Sequence, residues 1–550
     1  MLPSLLLAFA FSTVLAHSIS TQQKGRHNAG KCVHEGHGEA KPELAPFLDT
    51  SQVRLAWPDT AQGPFEGVDV PSPPLDVIPL IVSGPSSNRV DLVFFSDGYV
   101  QDEREKFIED ATRLARDVSG NQTFNSVKPL LNFWAAFTPS NESGVGVGGK
   151  PKDTVFGLYR DGTELRGVYY AKPKVAGAAC SSLGVQCDYP ILLGNDPLYG
   201  GLGGRYTQAS VITSSLANGP LILRHELGHS IIDVGEEYDG GFAYFGPNAH
   251  TNLSASIPWK QWLTNPNAAR IERSVMPMQD YSWALLNTTT PWSVTFESSG
   301  AYARHLVRFS LSGLPEQSDL RVDLDGVDLR WTPHANIGLD RWHYDVHRPG
   351  GLSRGPHTLT FTLLNGARAP AAQLCSAEIL EFGDEREFVS KPDHYSLYPT
   401  YSLDNTTTYR PTNEACLMRV VTTPNFCKAC LEGLWLQLLR NVSLIDGIDE
   451  SCIAHAEARM STALSLRLVP LAQLRTAAVN NLHESYTVTW SKDGAVLDDL
   501  TNKTRVVVEP GTYSVSVKYT TSEVRVDQDN RLSAHMDYTV TDNCAGRFIE

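Results

Sequence analysis

The spacing of apolar and polar residues predicts alternating strands and helices in the first half of the chain. The apolar run VDLVFFSDGY at residues 90–99 predicts a buried strand that ends near a glycine turn. The run DEREKFIEDATRLARDV then has helical periodicity, so Phe107, Ala111 and Leu114 are expected on one buried face. Further strands and a central helix follow, and residues 76–292 are therefore predicted to form an α/β domain.

The pattern changes after residue 292, where short strands alternate with turn residues. Runs such as ARHLVRFSLSG and HTLTFTLLNG predict a β-sandwich over residues 293–383. Residues 384–445 are mixed and end in a helical run, FCKACLEGLWLQLLRN. Residues 460–550 return to short strands with turn signals, a pattern typical of an immunoglobulin-like β domain. A chain of 550 residues is expected to divide into several domains.

The N-terminal residues indicate export. Residues 1–16 contain an apolar run that is too short to span a bilayer and end in small residues, which predicts a signal peptide. Residues 17–75 are rich in His, Gly, Pro and charge, and are predicted to be a disordered linker or a pro-segment. No later run stays apolar for about eighteen residues, so a secreted, extracellular protein without a membrane span is expected.

The composition agrees with export. Seven Asn-x-Ser/Thr sequons predict a glycoprotein. The nine cysteines are expected to be mostly in disulfides with one left over, and Cys180 and Cys187 could close a small loop. A formal net charge of −15 argues against nucleic acid as a partner.

One predicted helix carries the candidate chemistry. It lies in NGPLILRHELGHSIIDVGEEYDGG, where Asn218 is a candidate N-cap and Gly235 a candidate stop. His225 and His229 are four residues apart, so both imidazoles point the same way and fit two corners of a tetrahedral zinc site. Glu226 is turned by about 100° from His225, beside the metal, where it can accept a proton from water and return it to a leaving amine. One Zn²⁺ per chain is predicted.

A catalytic zinc site needs a third protein ligand and an open fourth position. Glu236 and Glu237 follow the helix, and either could close the site, with Asp239 and Asp233 as further candidates. Adjacent residues in an irregular turn point in different directions, so both glutamates are not expected to reach one metal. No histidine stands ten residues after His225, and the three-histidine pattern is therefore absent.

Four segments resemble the zinc endopeptidase family named for the bacterial immunoglobulin A peptidase, which is metzincin-like. They are FFSDGY with the acidic helix after it, NDPLYGGLGG, RHELGHSIIDVGEEYDGG, and YRPTNEACLMR with FCKAC close behind. The resemblance covers roughly residues 85–290 and 385–440. The family's helix ends in an acidic pair and a tyrosine, here Glu236-Glu237-Tyr238, with Glu where Asp is usual at the first place. This favours Glu237 as the third ligand, with Glu236 orienting a histidine.

The resemblance also implies the arrangement around the site. The expected fold is a zincin-like α/β catalytic domain formed by residues 76–292 and 384–445, with residues 293–383 as an insertion. A twisted mixed sheet would lie above the helix, and its edge strand would run beside the substrate peptide. A methionine-containing turn would lie beneath the zinc, for which Met418 is the best match and Met276 and Met278 are weaker ones. Residues 199–204 would border the cleft, and the residues expected to line it are Tyr199, Gly200, Gly201 and Gly203.

These features predict a secreted zinc-dependent metalloendopeptidase that hydrolyses peptide bonds of extracellular proteins. An alternative is an inactive peptidase scaffold that acts as a secreted adhesin or glycan-binding protein. That alternative predicts damage at Glu226 or at a histidine ligand, and all three residues are present. Trp331 and Trp342 could bind glycan through the inserted β domain, although two tryptophans in a sandwich more often belong to its core. A zinc hydrolase acting on a non-peptide bond is a third interpretation.

Overall fold

The computed structural model describes residues 70–120, 124–162, 165–203, 209–404, 406–454, 460–479, 482–541 and 544. These residues all belong to one compact unit, 62–550. The predicted signal peptide and almost all of the predicted linker lie outside the described residues. Within them the molecule is β-rich, with four α-helices and several separate sheets.

The first part of the chain forms a six-stranded mixed sheet with three helices. The strand order is β1-β3-β2-β6-β8-β7, in which β2, β3, β6 and β8 are parallel and the two edge strands are antiparallel. A small separate pair is formed by β4 and β5. In chain order the elements are β1 (Asp76–Ile81), β2 (Val90–Asp97), α1 (Arg104–Gly120), β3 (Leu131–Phe137), β4 (Leu158–Tyr159), β5 (Tyr169–Tyr170), α2 (Pro173–Ser182), β6 (Tyr189–Gly194), β7 (Gly201–Leu202), β8 (Ser210–Thr213) and α3 (Gly219–Leu227).

The residue types of this sheet explain its layers. Every residue of β2 is buried, as expected for a parallel strand covered on both faces. Helix α1 buries Phe107, Ala111 and Leu114, which confirms the predicted apolar face. Helix α3 packs against α1, β7 and β8, so it lies at the β7 edge of the sheet.

The middle of the chain forms two antiparallel sheets that share one core. One sheet has the order β10-β17-β12-β15 with β9 also paired to β17, and the other has the order β11-β16-β13-β14. Phe309, Leu359 and Phe361 are among the buried residues between them. The strands are β9 (Ser274–Asp280), β10 (Ala284–Leu285), β11 (Trp292–Ser298), β12 (Arg304–Ser312), β13 (Leu320–Leu324), β14 (Val327–Asp328), β15 (Trp342–Arg348), β16 (Gly355–Leu363) and β17 (Gln373–Phe382).

The two tryptophans considered for glycan binding are engaged within this part of the structure. Trp331 is only 3% exposed and donates its indole N–H to the carbonyl of Leu320 at 2.7 Å. Trp342 is stacked on His334, with 3.9 Å between the ring centroids. Trp331 is therefore a core residue, and the described surface gives no support for glycan binding through it.

The rest of the described chain forms the antiparallel pair β18-β19, helix α4 and two further antiparallel sheets. Helix α4 packs against the end of the α3 segment. The last two sheets have the orders β20-β21-β24 and β23-β22-β25-β26, and a Cys452–Cys544 disulfide joins β20 to the C-terminal residues. The elements are β18 (Tyr398–Tyr401), β19 (Thr407–Arg410), α4 (Lys428–Asn441), β20 (Ile445–Ala454), β21 (Met460–Leu468), β22 (Glu484–Lys492), β23 (Ala495–Val496), β24 (Arg505–Val508), β25 (Gly511–Thr521) and β26 (Ser533–Val540). The zincin and immunoglobulin-like assignments and the domain boundaries stay predictions.

The cysteines fall into two classes. A disulfide joins Cys180 to Cys187, as their spacing allowed. By contrast, Cys416, Cys427 and Cys430 are buried and take part in no disulfide. The expectation that nearly all cysteines pair is therefore wrong for this cluster.

The surface has two features that bear on export. No helix of the described residues is both long and apolar enough to cross a membrane. The sequon asparagines that lie within the described ranges are all exposed, as glycosylation requires. They are Asn141, Asn252, Asn287, Asn441 and Asn502.

Candidate metal centre

The helix that carries the histidines does not run straight to its predicted end. Helix α3 starts after Asn218, continues beyond Leu227 as a single π-helical turn, Gly228–Ile232, and ends at Asp233 in a left-handed conformation with φ of 63°. Single π turns inside helices are frequent at functional sites. The helical segment thus stops before Gly235, and the chain folds back toward the histidines two residues earlier than expected.

Three side chains converge at this reversal. The Nε2 atoms of His225 and His229 lie 3.1 Å apart. The Glu236 carboxylate approaches both, with oxygen-to-Nε2 distances of 3.3 Å to His225 and 3.0 Å to His229. Ligands held about 2.0–2.1 Å from a tetrahedral zinc ion lie about 3.3 Å from one another, so these three groups fit one such ion.

The other ring nitrogen of each histidine faces a backbone carbonyl. His225 Nδ1 lies 3.3 Å from the carbonyl oxygen of Leu417, and His229 Nδ1 lies 2.8 Å from that of Val234. Each Nδ1 therefore donates its proton to a carbonyl, and each Nε2 atom is directed at the common point. Neither carbonyl partner was identified from the sequence, because main-chain groups leave no signature in it.

The two adjacent glutamates point to different places. Glu236 is the one at the histidines, whereas the Glu237 carboxylate accepts a 3.0 Å hydrogen bond from Asn248 Nδ2 and is fully buried elsewhere. The Glu237 backbone is fixed by its N–H, which donates to the carbonyl of Met418 at 3.0 Å. The preference for Glu237 as third ligand is therefore corrected by this geometry, which favours Glu236. Asp239 is no alternative, because it is paired with Arg419 at 2.6 Å.

The charges of the cluster reinforce one another. Burial alone would lower the pKa of His229, but the Glu236 and Glu226 carboxylates and a hydrogen bond to Glu236 raise it to about 9. Burial would raise the pKa of Glu236, yet the two imidazoles hold it well below its usual range. The arrangement therefore stabilises positive charge at the point between the three side chains.

Glu226 lies beside this point, and its side chain lies against Gly201 and Gly203. Burial raises its pKa, the neighbouring His225 and His229 oppose the rise, and Glu236 adds to it. A Cβ atom on Gly203 would lie 2.5 Å from Glu226 Oε2. The absence of a side chain at Gly203 thus leaves room for the carboxylate.

The predicted cleft border lies where the sheet ends. Gly201 and Leu202 form the edge strand β7, while Gly204 lies outside the described residues. The Tyr199 N–H donates to Asp340 Oδ1 at 2.5 Å, and the Arg341 guanidinium lies 4.8 Å from the Tyr199 ring centroid. Asp340 also accepts hydrogen bonds from Ser215 Oγ at 2.7 Å and from Asn218 Nδ2 at 2.9 Å. The loop before β15 therefore supports both the cleft border and the start of α3, which the sequence did not indicate.

Met418 lies under the π turn. It is completely buried, and a Cβ atom on Gly228 would lie 3.0 Å from its sulfur. The preceding residue, Leu417, supplies the carbonyl that faces His225. Met276 and Met278, the weaker candidates, lie in β9.

Comparison with known proteins gives one family and several remote structural similarities, of which two are described. Residues 78–297 match the family model described as IgA Peptidase M64. No curated protein was found to match the chain. A beta-porphyranase of glycoside hydrolase family 86 from the human gut bacterium Bacteroides plebeius is 15% identical over 18% of this chain and 18% of its own, with a TM-score of 0.14. An exo-beta-1,3-galactanase from Phanerochaete chrysosporium is 16% identical over 20% of this chain and 29% of its own, also at 0.14. The chain thus spans less than a third of either structure.

Proposed function

We propose that this chain, whose residues 78–297 match the family model described as IgA Peptidase M64, is a secreted zinc-dependent metalloendopeptidase. The family match bears out the resemblance noted in the sequence and, with it, a metallopeptidase. The observation that carries the finer proposal is the meeting of two imidazole Nε2 atoms and the Glu236 carboxylate, with a 3.1 Å distance between the two nitrogens.

His225, His229 and Glu236 are the proposed metal ligands. Two neutral imidazoles and one carboxylate are a donor set that suits zinc, and three protein ligands leave the fourth position open. An ion held there supplies Lewis acidity, which makes water nucleophilic at neutral pH and polarises the scissile carbonyl. The Leu417 and Val234 carbonyls hold the imidazoles in the required orientation.

Glu226 is the proposed general base and acid. Its carboxylate accepts a proton from the attacking water and returns that proton to the leaving amine. Burial raises the pKa of Glu226 toward the operating pH, and a group whose pKa lies near that pH can both accept and release a proton readily. Its place next to Gly203, directly after the edge strand β7, agrees with a position at the predicted cleft.

The proposed substrate is an extended peptide along β7. Among the described residues, that strand is the edge of the six-stranded sheet and pairs only with β8, which leaves its outer side for pairing with a peptide. An extended peptide can add to such an edge through main-chain hydrogen bonds. Gly201 allows β7 to pack closely on α3, since a Cβ atom on Gly201 would lie 2.3 Å from Ile222 Cγ2. Met418 is proposed as the methionine turn beneath the metal.

An extracellular location is proposed from the covalent features of the chain. The Cys180–Cys187 and Cys452–Cys544 disulfides form in oxidising compartments. The exposed sequons agree with a glycoprotein, and the sequence predicts a signal peptide over residues 1–16.

The proposal is tested by cleavage of casein with the purified full chain. We expect internal cleavage, its loss after chelation, and its return when zinc is added back. A panel of ester and glycoside substrates serves as the comparison. Zinc-dependent hydrolysis of an ester or a glycoside of this panel, without cleavage of casein, would contradict a peptidase and favour another zinc hydrolase.

A further inference from the structure

A second set of metal-binding side chains lies behind the acidic pair. The Sγ atoms of Cys416, Cys427 and Cys430 and a carboxylate oxygen of Glu237 all lie within 4.8 Å of one another. Each of the four residues is at most 2% exposed, and none of the three sulfurs is in a disulfide. The proposed peptidase reaction uses none of these side chains.

The distances in this cluster are those of ligands around one ion. Cys416 Sγ and Cys430 Sγ are 3.8 Å apart, and Cys430 Sγ lies 3.6 Å from Glu237 Oε1. A disulfide would require about 2.0 Å between sulfurs. Two thiolates at about 2.3 Å from a tetrahedral zinc ion lie about 3.8 Å apart. The Cys-x-x-Cys spacing of Cys427 and Cys430 is also a frequent one in zinc sites.

Glu237 supplies an independent indication of a ligand. Its Oε1 atom accepts a hydrogen bond from Asn248, but its Oε2 atom is buried and has no hydrogen-bond partner. Burying a carboxylate oxygen without a partner costs free energy, and natural structures almost always satisfy such groups. A cation among the three sulfurs would satisfy it.

The local backbone favours thiolates at this place. Cys427 is the N-cap of α4, and Cys430 lies in the first turn of that helix. The exposed amide groups and the dipole at a helix N-terminus stabilise negative charge there and lower thiol pKa values in general. The start of α4 therefore favours negative charge beside Cys427 and Cys430, whereas Cys416 lies before the helix.

A third group of possible metal ligands in the described part of the chain differs from the cysteine cluster in its burial and in its pairing. Asp345, His347 and Glu414 lie near one another but are exposed or half-exposed. Arg308 already pairs with the Asp345 and Glu414 carboxylates, at 2.7 and 2.6 Å. Both carboxylates already have Arg308 as a partner, and we assign no metal to them.

We propose that Cys416, Cys427, Cys430 and Glu237 bind a second zinc ion in a closed, four-coordinate structural site. All four positions are filled by protein, so this ion has no open position for substrate. The thiols lose their protons as the ion binds. The predicted metal content is thereby revised from one zinc per chain to two.

This ion would brace the catalytic ligands from behind. Glu237 is bonded to Glu236, the proposed third ligand of the first ion. Cys416 is bonded to Leu417, whose carbonyl lies 3.3 Å from His225 Nδ1. The second ion thus links Glu237, in the segment after α3, to Cys427 and Cys430 at the start of α4. This link would hold the Leu417 carbonyl and Glu236 in place.

The first test is the metal content of the secreted full chain, produced in a eukaryotic host with zinc in the medium. We expect two zinc ions per chain, one in His225→Ala and one in Glu237→Gln. Cys375→Ser, at a buried cysteine of β17, is the matched control and should keep two. A single ion in the wild-type chain that is lost in His225→Ala would overturn the proposal.

The second test reports on the sulfurs directly and does not need a cysteine variant to fold. His225→Ala protein loaded with cobalt should show the intense near-ultraviolet absorption of a cobalt–thiolate bond. Alkylation after denaturation in chelator, without reductant, should label all three cysteines in the wild-type chain. A missing absorption band, or recovery of two of the three cysteines as a disulfide, would contradict the site.

These readouts are independent of the proposed peptidase activity. If the His225→Ala protein shows the cobalt–thiolate band but the zinc-loaded wild-type chain does not cleave casein, the second site is supported and the proposed function is contradicted. A chain that cleaves casein with one zinc and a disulfide in this cluster would do the reverse.

Discussion

At the scale of single residues, Glu226 carries the proposed proton transfer. It lies on the same helix as both histidines, and burial raises its pKa while those histidines oppose the rise. Gly203 gives it room beside the cleft. Its role can therefore be separated from metal binding by a substitution that keeps its shape.

Glu226→Gln should leave the fold and the zinc content unchanged and remove nearly all casein cleavage. The amide fills the same space but cannot accept a proton from water, and general-base assistance is worth about 10²–10⁴ in rate. Turnover and metal content measured on the same preparation check this. More than about a tenth of the wild-type rate would be incompatible with the assigned role.

The adjacent glutamates provide an internally matched pair of variants. Glu236→Gln should lose the zinc held by the histidines and with it the activity, because Glu236 lies 3.0 Å from His229 Nε2. Glu237→Gln should lose the ion held by the cysteines. Zinc analysis combined with the cobalt spectrum separates the two losses. If Glu237→Gln instead lost the ion of the histidine site, Glu236 would not be the third ligand.

The pKa of His229 gives a pH dependence for the chelated protein. This pKa is raised from 6.5 to about 9 in the folded chain, so the stability it contributes is complete below pH 6.5 and is lost as the pH rises toward about 9. The free energy of unfolding of the chelated protein should fall across that window. Denaturant melts of His229→Ala should lack this component, and an equal slope in both proteins would contradict the linkage.

At the scale of secondary-structure elements, the sequence predicted the helix but not its end. The spacing of four residues placed His225 and His229 together, and β2 and α1 also formed where the periodicity indicated. Gly228, the first residue of the π turn, packs against Met418 and Phe426, which are distant in sequence. The chain reversal after this turn brings Glu236 to the histidines, and the local sequence pattern does not indicate which of the two glutamates arrives there.

The cysteine cluster shows a second limit of the same kind. A Cys-x-x-Cys pair with a third cysteine close before it is a metal signal, but the signs of export favoured disulfides instead. Only the positions of the three sulfurs and Glu237 in space distinguish the two interpretations.

The loop before β15 contributes one testable contact to the cleft. Asp340 bonds the Tyr199 N–H, Ser215 and Asn218, so Asp340→Ala leaves buried donors without a partner. We expect a loss of about 1–3 kcal/mol in the free energy of unfolding and a higher KM for casein. The exposed Asp328→Ala is the control and should change neither. Unchanged stability and KM in Asp340→Ala would show that this contact does not support the cleft.

At the scale of the whole molecule, one site is assembled from segments far apart in sequence. The α3 segment supplies the proposed ligands, residues 416–419 brace them, and the loop before β15 supports the cleft border. Composition and strand spacing predicted the successive sheet-rich regions. They could not predict that Asp340 contacts Tyr199 at the predicted cleft border, because Asp340 lies in a loop, before β15, and not in a strand.

The most direct test of the account is an anomalous difference map at the zinc absorption edge from a crystal of the full chain. We predict a peak bound by His225 Nε2, His229 Nε2 and a Glu236 carboxylate oxygen, each about 2.0–2.2 Å from the ion. Glu226 should lie beside the ion without binding it. A zinc-loaded crystal with no peak between the two histidines, or with Glu237 as the ligand there, would contradict the central claim.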